Sequence, residues 1–198
     1  MELFDAIVGR RSIRNFWDKK VEDKKIGMIL EACRWSPSAG NRQPWEVIVV
    51  DDYEIISKLA DAAFDQDWIK TAPIVLAVCI NKEIAESGFG DRGEFYALET
   101  IGASIQNMML AAYSLGLGSC CVSAFDDDEI KEILNCPKII KPAALIPIGY
   151  PKEDPEMPER DEINQFSYTN QYGKKLCGSE WKGLKRYSRD LKRKLSKL

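Results

Sequence analysis

Between Glu94 and Leu115 the chain carries its longest apolar stretch, in which Ala97, Leu98, Ile101, Ala103, Ile105, Met108, Met109, Leu110 and Ala111 spread over most sides of a helix. A helix apolar on most of its circumference must be covered nearly all round, inside a domain or between subunits. With 198 residues and 45% hydrophobic content, the chain can bury roughly two-thirds of its unfolded surface, enough for one compact domain around such a helix.

The flanking segments supply candidate layers. Residues 2–9 place Leu3, Phe4, Ile7 and Val8 on one face of a short helix, and Ile26, Ile29, Leu30 and Cys33 recur at helical spacing before the chain breaks at Ser36 to Asn41. Trp45 to Val50 is short and β-branched, a buried strand, and Ile74 to Ile80 after Pro73 is another. Between them Ile55, Ile56, Leu59, Ala60, Ala63 and Phe64 mark a helix, while Asn81 to Arg92 reads as a polar, mobile connection. Gly116 and Gly118 end the long helix, Ser119 to Ser123 reads as a third strand, and Asp126 to Glu129 caps a helix through Ile130, Ile133 and Leu134. Ala143 to Ile148 is a last strand, with Pro147 pointing to a sheet edge or strand end. Strands alternating with helices imply a layered α/β arrangement. Prolines among acidic residues from Pro151 to Pro158 then make an extended crossing segment.

The chain has no histidine, which excludes Ser-His-Asp hydrolysis, His acid/base catalysis and His-ligated metals. Demanding chemistry would rest on a cofactor. Six cysteines, Cys33, Cys79, Cys120, Cys121, Cys136 and Cys177, form no C-x-x-C pair, so they read as free, mostly buried thiols, the vicinal Cys120-Cys121 included. An N-terminus with a carboxylate at Glu2 and no long apolar run reads as neither signal peptide nor spanning helix, which implies a soluble, cytoplasmic protein. From Lys182 to Leu198 eight Lys/Arg face one Asp, about +7, so the rest of the chain carries about −10 of the net −3. Leu184, Tyr187, Leu191, Leu195 and Leu198 make this tail an amphipathic basic helix, expected to lie on its own or a partner's body; contact with nucleic acid or an anionic membrane is the lesser alternative.

Two constellations carry chemistry. Arg10-Arg11-Ser12-Ile13-Arg14 gathers three guanidiniums and a hydroxyl, a set suited to a phosphate because planar forks make bidentate, charge-assisted bonds. Ser36 to Trp45 is dense in small and amide residues; Gly40 permits close backbone approach, and Asn41 and Gln43 offer donors and acceptors to a polar heterocycle or ribityl chain.

These pieces, in order, resemble the nitroreductase family of FMN enzymes: Arg10 to Arg14 with Phe16, Pro37 to Asn41 running into Gln43-Pro44-Trp45, Ala72-Pro73, the helix ending at Gly116-Leu117-Gly118, and Ile148 to Pro151. The resemblance spans about residues 2 to 172 and implies one domain over 1–172 followed by the tail, 173–198. It implies an α+β fold, a central mostly antiparallel sheet flanked by helices in an intertwined homodimer. By it, Arg10, Arg11, Ser12 and Arg14 hold FMN at its phosphate and polar edge, while Pro37, Ser38, Ala39 and Asn41 come from the other subunit to cover the ring and ribityl chain. Gln66 resembles an amide contact to the flavin, the Ser123-Ala124 backbone lies where an N–H approaches flavin N5, and Arg160 resembles a late phosphate contact. The implied activity is hydride transfer from NADH or NADPH through flavin N5 to a small acceptor such as a nitroaromatic or quinone. The alternative is a flavin-binding or flavin-processing protein without NAD(P)H turnover. No side chain is implied as a catalytic acid. Arg14 stands where relatives often have Lys and serves as a fixed positive charge.

Overall fold

A computed structural model describes residues 1–175; Cys177 and the basic helix expected from Lys182 lie outside the described residues. Four strands, β1 (Trp45–Val50), β2 (Ile74–Asn81), β3 (Gly118–Ser119) and β4 (Ile140–Gly149), form one sheet in the order β1-β2-β4-β3. Every neighbouring pair is antiparallel, as expected.

Both faces of the sheet are covered. Leu76, Val78 and Ile80 of β2, with Ala144, Ile146 and Ile148 of β4, pack on one face against α2 (Asp23–Arg34) and α5 (Gly93–Ser114) through Ile29, Cys33, Ile101, Ile105 and Met108. Val75, Ala77 and Leu145 meet α3 (Tyr53–Ala62) and α6 (Asp127–Ile133) on the other through Ile56, Leu59 and Ile130. Two-sided cover is why β2 is a continuous apolar run rather than an alternating one. On α5 the buried set includes Ala97, Thr100, Ile101, Ser104, Ile105, Met108, Met109 and Ala112, whereas Phe95 and Leu98 remain half exposed.

Side-chain caps start the helices where the polar residues suggest. Asp52 accepts from the Ile55 amide at 3.0 Å, and Asp126 from the amides of Asp128 and Glu129 at 2.9 and 3.0 Å, each satisfying first-turn N–H groups. Asn81 does the same for Ile84 at 3.3 Å and opens α4 (Lys82–Glu86), followed by a 3-10 turn at Gly90–Arg92. The polar connection from Asn81 to Arg92 is therefore largely helical, in pieces too short to show periodicity.

Two further expectations change, and the alternatives for Pro147 are decided. The third strand is only Gly118–Ser119; Val122 rejoins the sheet through a single bridge to Leu145, which leaves Cys120 buried but Cys121 exposed. β4 lies between β2 and β3, so Pro147 is near a strand end but not on an edge, and its carbonyl accepts from the Cys120 amide at 3.3 Å. Phe64 lies beyond the end of α3 in left-handed backbone, φ 59°, and is 67% exposed.

The chain divides into two units. Arg10–Pro155 holds the sheet and α2 to α6. The smaller combines Met1–Gly9 with the described chain from Glu156 to Lys175; it contains α1 (Leu3–Gly9) and α7 (Ile163–Phe166), the latter opened by reciprocal capping between Glu162 and Gln165.

Candidate functional site

The Arg10 to Arg14 segment runs beside β3. Ser12 bridges to Ser119, the Ile13 amide donates to the Ser119 carbonyl at 3.0 Å, and the buried Ile13 side chain fills the space left by Gly118, where a Cβ would fall 2.7 Å from Ile13 Cγ1. This pairing holds the guanidiniums and the Ser12 hydroxyl at one end of the sheet. Arg11 Nη1 donates to the Arg10 carbonyl at 2.7 Å. Arg14 is held twice: its amide donates to a Glu153 carboxylate oxygen at 2.5 Å, and its guanidinium lies 5.7 Å from the centre of the Trp68 ring, a cation–π contact.

Arg10 Nε is the one buried side-chain nitrogen or oxygen among the described residues without a hydrogen-bond partner. Buried polar atoms are rarely left so, and a charged donor is costly to strand. A multi-oxygen anion at this place would satisfy it, so the donor set fits a phosphate.

Gln66 and Ser123-Ala124 are brought to each other, and Gln66 is two residues from Trp68, the ring that the Arg14 guanidinium faces. Gln66 Nε2 donates to the carbonyls of Ala63 at 2.8 Å and Ala124 at 3.3 Å. The turn that carries Gln66 is braced by Lys70, whose ammonium sits 2.8 Å from Asp61 and 2.7 Å from Asp67; hydrogen bonds to Asp61 and then Asp67 push the Lys70 pKa above its ordinary value. Behind Ser12, burial pushes the Cys120 thiol up, opposed by the charges of Arg14 and Arg10 and by a hydrogen bond with Ser12.

The loop of Pro37, Ser38, Ala39 and Asn41 connects α2 to β1. Ser38 Oγ accepts from the Gln43 amide at 3.2 Å, and the Gln43 side-chain amide donates to Asn41 Oδ1 at 3.3 Å. Gly40, Asn41 and Gln43 all have positive φ, 54°, 56° and 53°, a run that glycine and asparagine tolerate best. Pro37, Gly40 and Asn41 are exposed.

Within one chain this loop does not meet the arginine segment. It leads into Trp45, which pairs with Ile80, whereas Ser119 sits beside Ile148, which pairs with Ile74. The two sets therefore lie at opposite ends of β2, roughly 20 Å of extended strand apart. Arg160 belongs to the smaller unit, where its guanidinium donates to the Glu159 carbonyl at 3.0 Å.

Several participants were not singled out from sequence. Trp68 follows Gln66 at a spacing that looks like core packing, Glu153 is one acid among several in the proline-rich segment, and Asn107 and Thr100 are polar positions on the long apolar helix. Among the described residues no group of three or more His, Cys, Asp or Glu could hold a metal ion.

Comparison with known proteins gives the family of the chain as a whole. The nitroreductase family profile matches residues 7–66 and 64–150. FMN reductase (NAD(P)H) from Bacillus subtilis is 30% identical over 188 residues, covering 86% of this chain and 76% of the relative. NADH dehydrogenase from Thermus thermophilus is 33% identical over 177 residues, 75% of this chain and 86% of the relative. Among solved structures, an FMN-dependent nitroreductase from Clostridium difficile superimposes with a TM-score of 0.75 at 27% identity, covering 85% of this chain and 99% of that one.

Proposed function

Since this chain belongs to the nitroreductase family, we propose that it is an FMN-dependent oxidoreductase that takes electrons from NADH or NADPH and passes them to a small oxidised acceptor, a nitroaromatic, a quinone or a related metabolite, in two half-reactions. FMN held by these residues would supply the redox chemistry, at its N5 position. The observation that carries the reading is the stranded, buried Arg10 Nε beside Ser12 and Arg14, which suits a cofactor phosphate. The names of the relatives, an FMN reductase and an FMN-dependent nitroreductase, point the same way.

On this reading the chain's own residues bind, orient and shield. Arg10, Arg11 and Ser12 hold the phosphate and polar edge through charge-assisted bonds, with Arg160 as a further phosphate contact. Arg14, steadied by Trp68 and Glu153, supplies a fixed positive potential where negative charge develops. Gln66 contacts the flavin through its amide and keeps the Ser123-Ala124 backbone in place to present an N–H. No side chain has to give up a proton, in keeping with a chain without histidine.

The working unit we propose is a homodimer in which Pro37, Ser38, Ala39 and Asn41 of one copy cover the flavin held by Arg10 to Arg14 of the other. The strand-length separation of the two sets within one chain supports this, as do Phe95 and Leu98, large apolar side chains left half exposed on α5. Cytoplasmic residence is proposed with it; among the described residues no helix is long and apolar enough to cross a membrane.

The test is reconstitution with FMN, FAD or riboflavin followed by anaerobic mixing with NADH or NADPH and an acceptor panel. The expected outcome is about one FMN per subunit and rapid loss of flavin absorbance, restored by an acceptor. FAD in place of FMN, or no flavin at saturating FMN, would overturn the reading. Tight FMN binding without reduction would favour a flavin-processing protein instead.

A further inference from the structure

Along its buried face α5 carries a polar strip, Thr100, Ser104 and Asn107, at helical spacings of four and three that put all three on one side. Polar groups on an otherwise apolar face are costly unless bonded, and their partners are specific. Asn107 Nδ2 donates to Ser36 Oγ at 2.8 Å and reaches the Ala32 carbonyl at 3.4 Å, while the Ser36 hydroxyl donates to that same carbonyl at 3.2 Å. Ser36 is buried and stands at the head of the loop that continues through Pro37 to Asn41. Two turns earlier on α5, Thr100 Oγ1 accepts from the Ala39 amide, in the middle of that loop, at 3.4 Å. Ser104 donates to the Ile101 carbonyl of its own helix at 2.8 Å.

From the outside the same loop is pressed by Phe89, whose ring fills the space beside Gly40, where a Cβ would fall 2.9 Å from Cζ. The Arg42 guanidinium lies 5.9 Å from the centre of that ring. A loop with three positive-φ positions would otherwise have many conformations. Here its head and middle are bonded to a rigid helix, and its tip is wedged.

We infer that Asn107 and Thr100 are positioning residues for the cofactor cover: they fix the head and middle of the loop so that Pro37, Ser38, Ala39 and Asn41 are presented in one geometry to the flavin of the second copy. The inference rests on the proposed role of this loop. It assigns to α5, otherwise a packing element, control of how well the flavin is held and oriented. The two residues touch neither flavin nor substrate; they act through Ser36 and Ala39.

The test uses the FMN-loaded full chain in four versions: parent, Asn107→Leu, Thr100→Val and Thr100→Ser. Thr100→Val keeps shape and removes the acceptor, and Thr100→Ser restores it. Thr100→Val and Asn107→Leu are expected to raise the FMN dissociation constant about three- to tenfold, the scale of one lost hydrogen bond. They should change the visible circular dichroism of the bound flavin, raise KM for the nicotinamide donor more than they lower kcat, and speed trypsin cleavage after Arg42. Thr100→Ser is expected to match the parent in all four. A purely structural role would lower the melting temperature and leave the flavin spectrum unmoved. The inference is overturned if the folded Val and Leu variants keep the parent's FMN affinity and flavin dichroism, or if Thr100→Ser behaves as Thr100→Val; should Asn107→Leu not fold, the Val and Ser pair decides. A parent that binds no flavin would sink the functional reading instead, and the trypsin rate, which needs no flavin, would still decide whether the clamp exists.

Discussion

The side-chain amide of Gln66 donates to the backbone carbonyl of Ala124 at 3.3 Å, joining two turns 58 residues apart in sequence. The bond fixes the stretch proposed to face the flavin by tying it to the turn after α3. Gln66→Leu removes it together with the bond to Ala63 and is expected to weaken FMN binding about two- to tenfold. Faster amide hydrogen exchange at residues 123–125 should accompany the loss. Unchanged exchange there would show that the turn is held by other means.

Arg10→Ala and Arg14→Ala should each weaken FMN binding by about 1.5–3 kcal/mol, the scale for removing one partner of a charge-assisted contact. Arg11 has one guanidinium nitrogen committed to the Arg10 carbonyl, so Arg11→Ala should do less. Fluorescence titration with FMN orders the three; equal dissociation constants in all three and the parent would reject the phosphate assignment.

Shared sites can be tested by mixing subunits. Arg14→Ala damages one end of the sheet and Asn41→Ala the other. Co-refolded heterodimers should contain one doubly damaged site and one intact site, and so recover part of the activity missing from both mutant homodimers. Confirmed heterodimers without recovery would confine each flavin to a single chain.

The thiols should separate sharply by reactivity. Burial pushes the Cys33 and Cys120 thiols up, and burial reinforced by the neighbouring Cys136 pushes Cys79 up to about 12. A raised thiol pKa leaves the unreactive protonated form at pH 8. Iodoacetamide at pH 8 followed by peptide mapping should therefore label exposed Cys121 well before Cys33, Cys79 or Cys120. Early labelling of Cys79 in the folded protein would contradict this environment.

Lys70 braces the Gln66 turn through Asp61 and Asp67, and its pKa is raised when folded. A raised cationic group stabilises fully below its unfolded value, about 10.5, and that contribution fades as pH climbs through the higher folded value. Lys70→Met should therefore lower the urea midpoint by a constant amount from pH 6 to 10, and the gap should close above 10.5. A gap that already closes between pH 6 and 9 would assign the effect to other groups.

β1, β2, α2 and α5 are legible in the sequence because Trp45 to Val50 and Ile74 to Ile80 are short runs rich in β-branched residues and because Ile29, Cys33, Ile101 and Met108 repeat at helical intervals. α4 and the true extent of β3 are not legible there, since elements as short as Lys82–Glu86 and Gly118–Ser119 lie below the length at which periodicity accumulates. Spacing puts Phe64 in the helix of Ile55 to Ala63, whereas left-handed backbone at 64 and 65 turns the chain away there. The two constellations at Arg10 to Arg14 and Pro37 to Asn41 stood out through local composition. Trp68, Glu153, Thr100 and Asn107 did not, because their roles arise from topology that brings distant segments together.

The opposite-end placement of the arginine segment and the Pro37 to Asn41 loop along β2 also bears on how such a protein could diversify. If each pocket takes one wall from each copy, a duplicated gene can lose the arginines while its product still supplies a working cover to an intact partner. The pair would retain one functioning pocket and release the other from selection. A two-chain descendant with one flavin, its second cavity free to acquire a new ligand, is thus open to this architecture by few mutations.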